Sequence, residues 1–393
     1  PSCAGKHMVQ SAAHLTDLVL PRVPFRQWVL VLPKRLRYFL EDSSAYTSNV
    51  LRIFLRTIQT TLRKRSAGAP RQSRVGAVSF IQRFGSTLNQ HIHFHVIVSD
   101  GVFSQNDDGE ISFHPAHDLT QELITSIEQK LRRRILRYFV KRGLLPDWSS
   151  REMQLWDHAG GFSLDASVHI PDWDRQGLER LVRYCARPPF AEGRLSKISE
   201  ERILYTLKKP DPYGRNAVVM TPFEFLSRLS VLLPPPRMHR HRYHGVFAPH
   251  SKLRKQVVAS AGPSGAMLMQ LQEAESKMGL VPPSQAVPDD ATPPPVNDPA
   301  HGLGAPIDGP KPSKAWSKSW AMLMVRIFEV LPLLCPRCQS PMKIVSFITD
   351  PPVVEKILVH LELSYDPPVI SQARGPPQLE FDGMDQNNPY DAW

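Results

Sequence analysis

Residues 89–103 have the sequence NQHIHFHVIVSDGVF, and this stretch decides the fold. Side chains alternate between the two faces of a β-strand, so the three histidines at 91, 93 and 95 share one face. The apolar residues between them, among them Ile92 and Phe94, share the other face and need a hydrophobic layer to cover them. The pattern predicts a sheet strand with one face in a core and the other carrying a row of imidazoles.

A row of imidazoles on a strand indicates metal binding. Neutral imidazole is a good ligand for a divalent ion, and a strand holds its ligands more rigidly than a loop. The alternation alone leaves open which of the three histidines bind the ion. The alternative is an incidental His-rich face exposed to solvent.

The surrounding sequence predicts the rest of an α+β domain. Apolar residues at helical spacing predict helices at 44–65, 120–142, 174–186 and 223–233. Runs rich in β-branched and aromatic residues predict strands at 26–33, 75–84, 91–99, 202–207 and 217–220. We therefore expect a central antiparallel sheet that carries the His-x-His-x-His strand and is flanked by helices.

Composition divides the chain further. Of the 393 residues, 38 are proline, which is about twice the usual share of roughly 5%. Prolines cluster between 256 and 315 and predict a linker after a folded domain at 26–255. We expect a small unit around a CxxC motif at 316–363 and a disordered tail at 364–393.

Charge and hydropathy narrow the function classes. The chain carries 48 Lys+Arg against 37 Asp+Glu, a net charge of +11, which favours a polyanionic partner. No apolar run approaches the roughly 18 residues of a membrane span, and the start has no signal-peptide anatomy. Four cysteines are too few for a disulfide scaffold. We expect a soluble protein of a bacterial cytoplasm, associated with the nucleoid and not with a membrane.

The histidine strand and three further segments resemble a known family. His93-Phe-His95 resembles the His-hydrophobic-His signature of HUH endonucleases. The string HIHFHVIVSDGVF is similar to the transposases of rolling-circle insertion sequences, the IS ninety-one group and its common-region relatives. The likeness continues through RQWVLVLPKRLRYFL at 26–40, RYCARPPF at 183–190 and the segment 220–254. The resemblance implies an HUH endonuclease-like fold and a helix-borne tyrosine that attacks single-stranded DNA. It also implies Mg²⁺ or Mn²⁺ bound by His93 and His95, with His91 as first choice for a third ligand. All-nitrogen ligation would also suit Zn²⁺ or Ni²⁺.

Tyr184, in the predicted helix 174–186, is the candidate nucleophile. Helical spacing places it on the flank of the apolar stripe, where it could face a groove. Some members of the family carry two tyrosines four residues apart on this helix. In this chain the residue four positions before Tyr184 is Arg180, so the chain resembles the single-tyrosine branch. Tyr205 is the back-up nucleophile, because strand periodicity puts it on the face opposite to that of Leu204, where it could be accessible. The alternative for Tyr184 is a tyrosine that packs and forms a hydrogen bond at the surface.

Several basic and aromatic residues are expected to contact DNA. Arg180, Arg183 and Arg187 surround Tyr184 and suit a phosphate. The basic sides of the first two predicted helices would track phosphates, although charged helix faces are usually just solvated. Further candidates are Lys208, Arg240 and Arg242 for phosphates, and Trp28, Tyr243 and Phe247 for stacking on unpaired bases. A solvated Lys208-Lys209 pair is the plainer interpretation of that site.

Two segments relate to zinc. Cys335-Pro-Arg-Cys338 resembles the C-terminal CPxC element of the family, but one knuckle supplies two of the four ligands of a closed zinc site. His360 is a possible third ligand, and a tight turn with two reduced thiols is the alternative. Family members also carry an N-terminal zinc module that ends in a similar motif. Because this chain begins Pro-Ser-Cys3, we expect residues 1–25 to be a remnant of an N-terminally truncated module.

These features predict a transposase that nicks and rejoins single-stranded DNA at element ends. The reaction would proceed through a metal-assisted 5′-phosphotyrosine intermediate in rolling-circle transposition. No GxxxxGK[ST] motif is present, so a host helicase and the replication machinery would supply unwinding. Two alternatives remain: a replication initiator or relaxase-type nickase, and a catalytically inactive DNA-binding remnant.

Overall fold

The computed structural model divides the chain into two units, residues 1–264 with 372–393 and residues 265–371. In the first unit the structure describes 2–156, 161–190, 192–211, 213–232, 239 and 241–262. In the second it describes 350–362 and isolated residues at 324, 335, 338, 340, 342 and 348. Most of the predicted linker and the whole predicted tail lie outside the described residues.

The first unit is a mixed α+β fold. In chain order its elements are α1 (Ser2–Leu18), β1 (Phe25–Val31), α2 (Lys34–Asp42), α3 (Ser44–Arg65), β2 (Gly76–Phe84), β3 (Gln90–Ser99), β4 (Gly101–Gln105), β5 (Ile111–Pro115), α4 (Gln121–Lys141), α5 (Asp147–Leu155), β6 (Ser163–Asp165), β7 (His169–Ile170), α6 (Arg175–Cys185), β8 (Leu195–Ser199), β9 (Arg202–Thr206), β10 (Ala217–Met220), α7 (Pro222–Leu232), β11 (His241–Gly245) and α8 (Arg254–Val258). In the second unit, α9 spans Pro351–His360.

The central sheet has six strands, and all of its pairs are antiparallel. The strand order is β11, β2, β3 and β1, and both β6 and β7 pair with the outer edge of β1. The histidine strand β3 is therefore an inner strand. Gln82 of β2 and Val31 of β1 lie opposite His93, and Phe80 and Val29 lie opposite His95.

The apolar face of β3 packs in the larger core. Ile92, Phe94 and Val96 are fully buried there together with residues of α2, α3 and α4. Helix α3 fits this layer because Val50, Phe54 and other apolar residues recur at helical spacing and are buried. The side chain of Ser43 caps its N-terminus by accepting a hydrogen bond from the Ala45 amide, and basic residues in the last turn offset the helix dipole.

The histidine face of β3 is covered by a second core. That core contains Leu15 of α1 and Leu178, Leu181 and Val182 of α6, all buried. The Asp174 carboxylate caps α6 by accepting a hydrogen bond from the Gly177 amide at 2.7 Å. The helix ends at Cys185, before the Pro188-Pro189 pair that the sequence identifies as its stop. Tyr184 lies in the last turn of this helix.

The first unit has two smaller sheets. Strands β8, β9 and β10 form an antiparallel sheet, and β4 pairs with β5. A third apolar cluster contains Tyr205 of β9, Leu232 of α7 and Phe84 at the end of β2. No helix in the described part of the chain has the length and hydropathy of a membrane span.

The predicted helices at 44–65, 120–142, 174–186 and 223–233 are confirmed within two residues at each end. Residues 1–25 contain a helix that was not expected. This helix, α1, buries Ala12 and Leu15 in the core that α6 shares. Their origin in a zinc module stays a prediction. The folded part also continues past the expected boundary at 255, since Val257 of α8 is buried in the same core.

Candidate functional site

The three histidines of β3 form a buried row. Each is at most 2% exposed, and they lie on the face predicted from strand alternation. The ring centroids of His91 and His93 are 5.1 Å apart, and those of His93 and His95 are 4.9 Å apart. Because burial disfavours the charged form, it lowers the pKa of His93 to about 4 and lowers the pKa values of His91 and His95 well below their usual range. All three are neutral imidazoles at neutral pH.

A hydrogen bond orients the middle ring of the row, that of His93. His93 Nδ1 lies 3.0 Å from the carbonyl oxygen of His91, which makes Nδ1 the donor and leaves the lone pair on Nε2. That Nε2 atom is buried and has no hydrogen-bond partner in the part of the chain that the structure describes. A ligating histidine usually donates its other ring nitrogen to such an outer acceptor. The His93 ring thus fits a metal ligand.

The spacing of the row limits how many histidines one ion can bind. Two adjacent rings can share an ion, but His91 and His95 are four residues apart on an extended strand, about 13 Å between Cα atoms. With metal–nitrogen bonds of about 2 Å, a single ion cannot bind all three rings. This argues against His91 as third ligand to an ion held by His93 and His95. Among the described residues, no group of three His, Cys, Asp or Glu side chains could hold an ion.

Gln82 offers an oxygen as third ligand in place of His91. The sequence alone did not identify this residue. It lies opposite His93 on β2, so the two side chains share a face of the sheet. Its amide nitrogen donates to the Cys185 carbonyl at 2.9 Å. Its Oε1 is buried without a partner among the described residues. An unpaired oxygen beside an unpaired imidazole lone pair calls for a cation or another donor.

Tyr184 lies beside this row. Its ring centroid is 5.7 Å from that of His95 in an edge-to-face arrangement. It is 4% exposed and belongs to the core under the sheet, so the expectation that it faces an open groove is wrong for this conformation. The reason is Arg187, whose guanidinium carbon lies 4.4 Å above the tyrosine ring and covers it.

The three arginines expected around Tyr184 differ in their surroundings. Arg187 lies over Tyr184 and also 5.7 Å from the Phe84 ring. Arg183 forms a salt bridge of 2.7 Å with Glu179. Arg180 lies 3.9 Å from the Asp174 carboxylate. Arg187 therefore contacts the tyrosine ring directly, and the role of the three arginines in binding a phosphate stays a prediction.

Tyr205 and two aromatic residues expected to stack on bases are buried. Tyr205 is 1% exposed and packs in the third apolar cluster, so its predicted accessibility is wrong. Trp28 and Phe247 are fully buried on opposite sides of the central sheet. Alternation within a strand does not reveal which face a second layer covers. Tyr243 is partly buried, with Arg254 5.0 Å above its ring.

The remaining DNA-contact candidates lie apart. Lys208 is exposed just after β9. Arg242 of β11 donates to the Ser48 hydroxyl of α3 at 2.9 Å and is half-buried. Arg240 lies outside the described residues. In the second unit, the Cys335 amide donates to the Ser340 carbonyl at 3.0 Å, and Cys338 and His360 are exposed. The Cys335/Cys338 zinc site stays a prediction.

A basic cleft separates α3 from α4. It has a volume of about 330 Å³ and contains three cations and three hydroxyls but no carboxylate. It is lined by Thr60, Thr61, Lys64, Arg65, Leu123, Ser126, Ile127 and Lys130. Helix α3 contains no acidic residue at all. The predicted basic side of these helices therefore includes a concave surface that suits phosphate groups.

The buried neutral histidines predict that acid destabilises the fold. His93 has a folded pKa near 4 and an unfolded value near 6.5, so the unfolded chain binds an extra proton between these values. Stability is therefore retained above pH 6.5 and lost as the pH falls to 4, by about 3 kcal/mol for His93 alone. Urea midpoints measured in chelator from pH 4 to 7 check this. The slope with pH should be smaller for His93→Gln, and an unchanged slope would contradict the assignment.

Comparison with known proteins adds one match. Residues 76–255 match a family model described as "Putative transposase". The match supports a transposase role. It begins at β2 and includes the histidine strand and Tyr184, but it covers somewhat less than half of the chain. A search of curated proteins finds no match, and a search of solved structures finds none either.

Proposed function

We propose that this chain is a transposase of the single-tyrosine HUH type that nicks and rejoins single-stranded DNA through a covalent bond to Tyr184. The observation that carries the proposal is the 5.7 Å separation of the Tyr184 and His95 rings. Sequence alone placed these residues on a helix and a strand 89 positions apart. Their juxtaposition on one buried face, inside the segment that matches the transposase family, supports a shared site.

The proposed reaction exchanges one phosphodiester for another. Tyr184 Oη forms a bond to the scissile phosphorus while the bond from phosphorus to the 3′ oxygen breaks. The departing oxygen gains the proton that the phenol loses, which leaves a 3′-OH and a 5′-phosphotyrosine. Attack by a 3′-OH of another strand reverses these changes and frees the tyrosine. The exchange conserves the number of phosphodiester bonds and needs no external energy source.

The residues present fit a divalent ion. His93 presents a buried and unpaired Nε2, and Gln82 presents a buried and unpaired Oε1 beside it. We propose that His93 and His95 hold Mg²⁺ or Mn²⁺ and that Gln82, in place of His91, completes the ligand set. When bound, the ion would polarise the phosphate and stabilise charge in the displacement. An oxygen ligand next to imidazoles suits these harder ions.

The charges around the row favour an anionic substrate. Arg187 lies close enough to lower the pKa values of His93 and His95, and Arg37 of α2 acts similarly on His91 and His93. Two guanidinium groups thus approach a row of neutral imidazoles, one from α2 and one from the segment just after α6. We propose that a phosphate of single-stranded DNA neutralises Arg187 and draws it from the tyrosine ring.

The burial of Tyr184 also favours a second candidate, a DNA-binding remnant without nicking activity. A phenol that is 4% exposed and covered by Arg187 cannot reach a phosphate until that side chain moves. A labelled single-stranded hairpin with Mn²⁺ separates the two candidates. Nicking would give a protein–DNA adduct that survives denaturation, and digestion would map the label to the peptide with Tyr184. Binding with no adduct under Mg²⁺ or Mn²⁺ would favour the remnant.

The cleft between α3 and α4 predicts a salt-dependent contribution to DNA binding. Each phosphate contact adds about 0.9 to the slope of log affinity against log salt for duplex DNA, and about 0.7 for single strands. Replacing Lys64 and Lys130 by Gln should therefore reduce the slope by about 1.4 to 1.8. Fluorescence anisotropy from 50 to 200 mM salt (roughly the range in which such slopes are resolved) measures it with a single-stranded hairpin and with a duplex.

The matched control removes two exposed lysines outside the cleft, Lys252 and Lys255. An equal loss of slope in both double variants would show that net charge and not the cleft determines binding. We propose that a host helicase and the replication machinery unwind the donor DNA.

A further inference from the structure

A buried glutamine joins the histidine row to the helix that carries Tyr184. Gln27 of β1 is fully buried. Its Nε2 atom lies 2.8 Å from His95 Nδ1 and 3.3 Å from Cys185 Sγ. Cys185 directly follows Tyr184 in α6. One amide group therefore contacts both a proposed metal ligand and the turn that holds the proposed nucleophile.

The orientation of this amide determines which nitrogen of His95 carries the proton. In the orientation described, an N–H of Gln27 donates to the Nδ1 lone pair, so neutral His95 has its proton on Nε2. A protonated Nε2 has no lone pair for an ion. His93 is arranged the opposite way, because the His91 carbonyl accepts from its Nδ1. His93 and His95 thus hold different tautomers.

Turning the amide over would reverse the tautomer. Gln27 Oε1, which is buried without a partner among the described residues, would then accept from Nδ1–H of His95. It would also accept from the thiol of Cys185, which keeps its proton because burial raises its pKa. The Nε2 lone pair of His95 would become available. The cost is that the NH₂ group loses its two acceptors, so the free protein favours the first orientation.

We propose that Gln27 is a positioning residue that sets the tautomer of His95, and that its amide must turn over before His95 can bind an ion. The second part rests on the metal site under Proposed function, whereas the first part concerns the metal-free protein. A histidine ligand usually donates its other ring N–H to an acceptor, and only the turned orientation of Gln27 offers one. The amide therefore opposes ion binding until an ion compensates for the turn.

The first experiment reads the tautomer in the metal-free chain. The full-length protein is labelled with ¹⁵N-histidine, and long-range ¹H–¹⁵N spectra report which ring nitrogen of His95 is protonated. The His95 signals are assigned by their loss in His95→Gln. We expect the Nε2–H form in the wild type, a mixture in Gln27→Met, and the Nδ1–H form in Gln27→Glu, whose carboxylate accepts. Gln82→Met removes a different buried amide, which donates to the Cys185 carbonyl at the end of α6. This variant should leave the His95 tautomer unchanged.

The second experiment adds an ion. Titration of Mg²⁺ should convert the wild-type His95 signals to the Nδ1–H form. Calorimetry with Mn²⁺ should give an affinity about 10-fold higher for Gln27→Glu, within the range found for outer partners of ligating histidines. The gain should be smaller for Gln27→Met, which removes the opposing amide without supplying an acceptor. Thermal unfolding of each variant establishes that it is folded.

The outcomes separate the two ideas. If the tautomer of His95 is the same in the wild type and in both folded Gln27 variants, the inference about Gln27 is overturned. If the tautomer follows Gln27 but Mg²⁺ and Mn²⁺ leave the His95 signals unchanged in every variant, Gln27 controls the ring as proposed and the metal site is wrong. If the ion binds with equal affinity in all three proteins, the proposed turn of the amide is wrong.

Discussion

Tyr184→Phe is expected to abolish the covalent adduct between the protein and a single-stranded DNA hairpin. The substitution removes the hydroxyl that would form the bond and keeps the ring that packs against His95 and Arg187. Loss of a nucleophile typically lowers the rate by about 10⁴-fold or more, so no adduct should be visible. The measurement is an electrophoretic assay with 5′-labelled and 3′-labelled hairpins and Mn²⁺, which also identifies the strand end that stays attached.

Tyr205→Phe is the matched control for this substitution. Tyr205 is as buried as Tyr184 but packs in the apolar cluster around Phe84 and Leu207. Its hydroxyl should be dispensable for the adduct. If Tyr205→Phe alone abolishes the adduct, the nucleophile is assigned wrongly. If the double variant Tyr184→Phe/Tyr205→Phe still forms it, covalent catalysis by either tyrosine is excluded.

His93→Ala is expected to have the second largest effect. His93 is the central imidazole of the row, and its buried Nε2 is the atom best placed to bind an ion. Without the bound ion, the transition state would lose several kcal/mol of charge stabilisation. The rate of adduct formation should therefore fall about 1,000-fold. Chelation of the wild-type protein should have a similar effect that added Mn²⁺ reverses. Single-turnover rates across a range of Mn²⁺ concentrations measure both.

His91→Ala controls for the loss of a buried imidazole on the same strand. His91 is equally buried but lies at the far end of the row from Tyr184. Its removal should lower stability and leave the dependence on Mn²⁺ largely unchanged. An equal loss of activity in folded His91→Ala would mean that the ion binds to His91 and His93 and not next to the tyrosine.

The parts of the fold with strong local patterns could be predicted from the sequence. Helices α3, α4 and α6 have apolar residues at helical spacing that fit one buried side each, and β3 alternates without interruption. Helix α1 was missed because the first 25 residues were interpreted through the resemblance to a zinc module. The spacing of Met8, Ala12 and Leu15 was the available signal.

The site was predicted less completely, for a physical reason. Gln27 contacts His95, which is 68 residues away in sequence. Gln82 contacts Cys185 at the end of α6, which is 103 residues away. Neither belongs to a recognisable motif, and pairing between distant strands is not encoded in local periodicity. The burial of Tyr184 was missed similarly, because a helical wheel places it on a flank but does not show that Arg187 lies over its ring.

The inner position of β3 has a consequence for how this chain can vary. Hydrogen-bonded neighbours on both edges fix the strand in register, and side chains alternate strictly along it. Inserting or deleting one residue near His91 would move the imidazoles into the apolar core and turn the apolar side chains toward Tyr184. Such a length change would lose the fold and the chemistry together. Sequence drift in this strand is therefore confined to substitutions, whereas loops such as the turn at 106–109 tolerate changes in length.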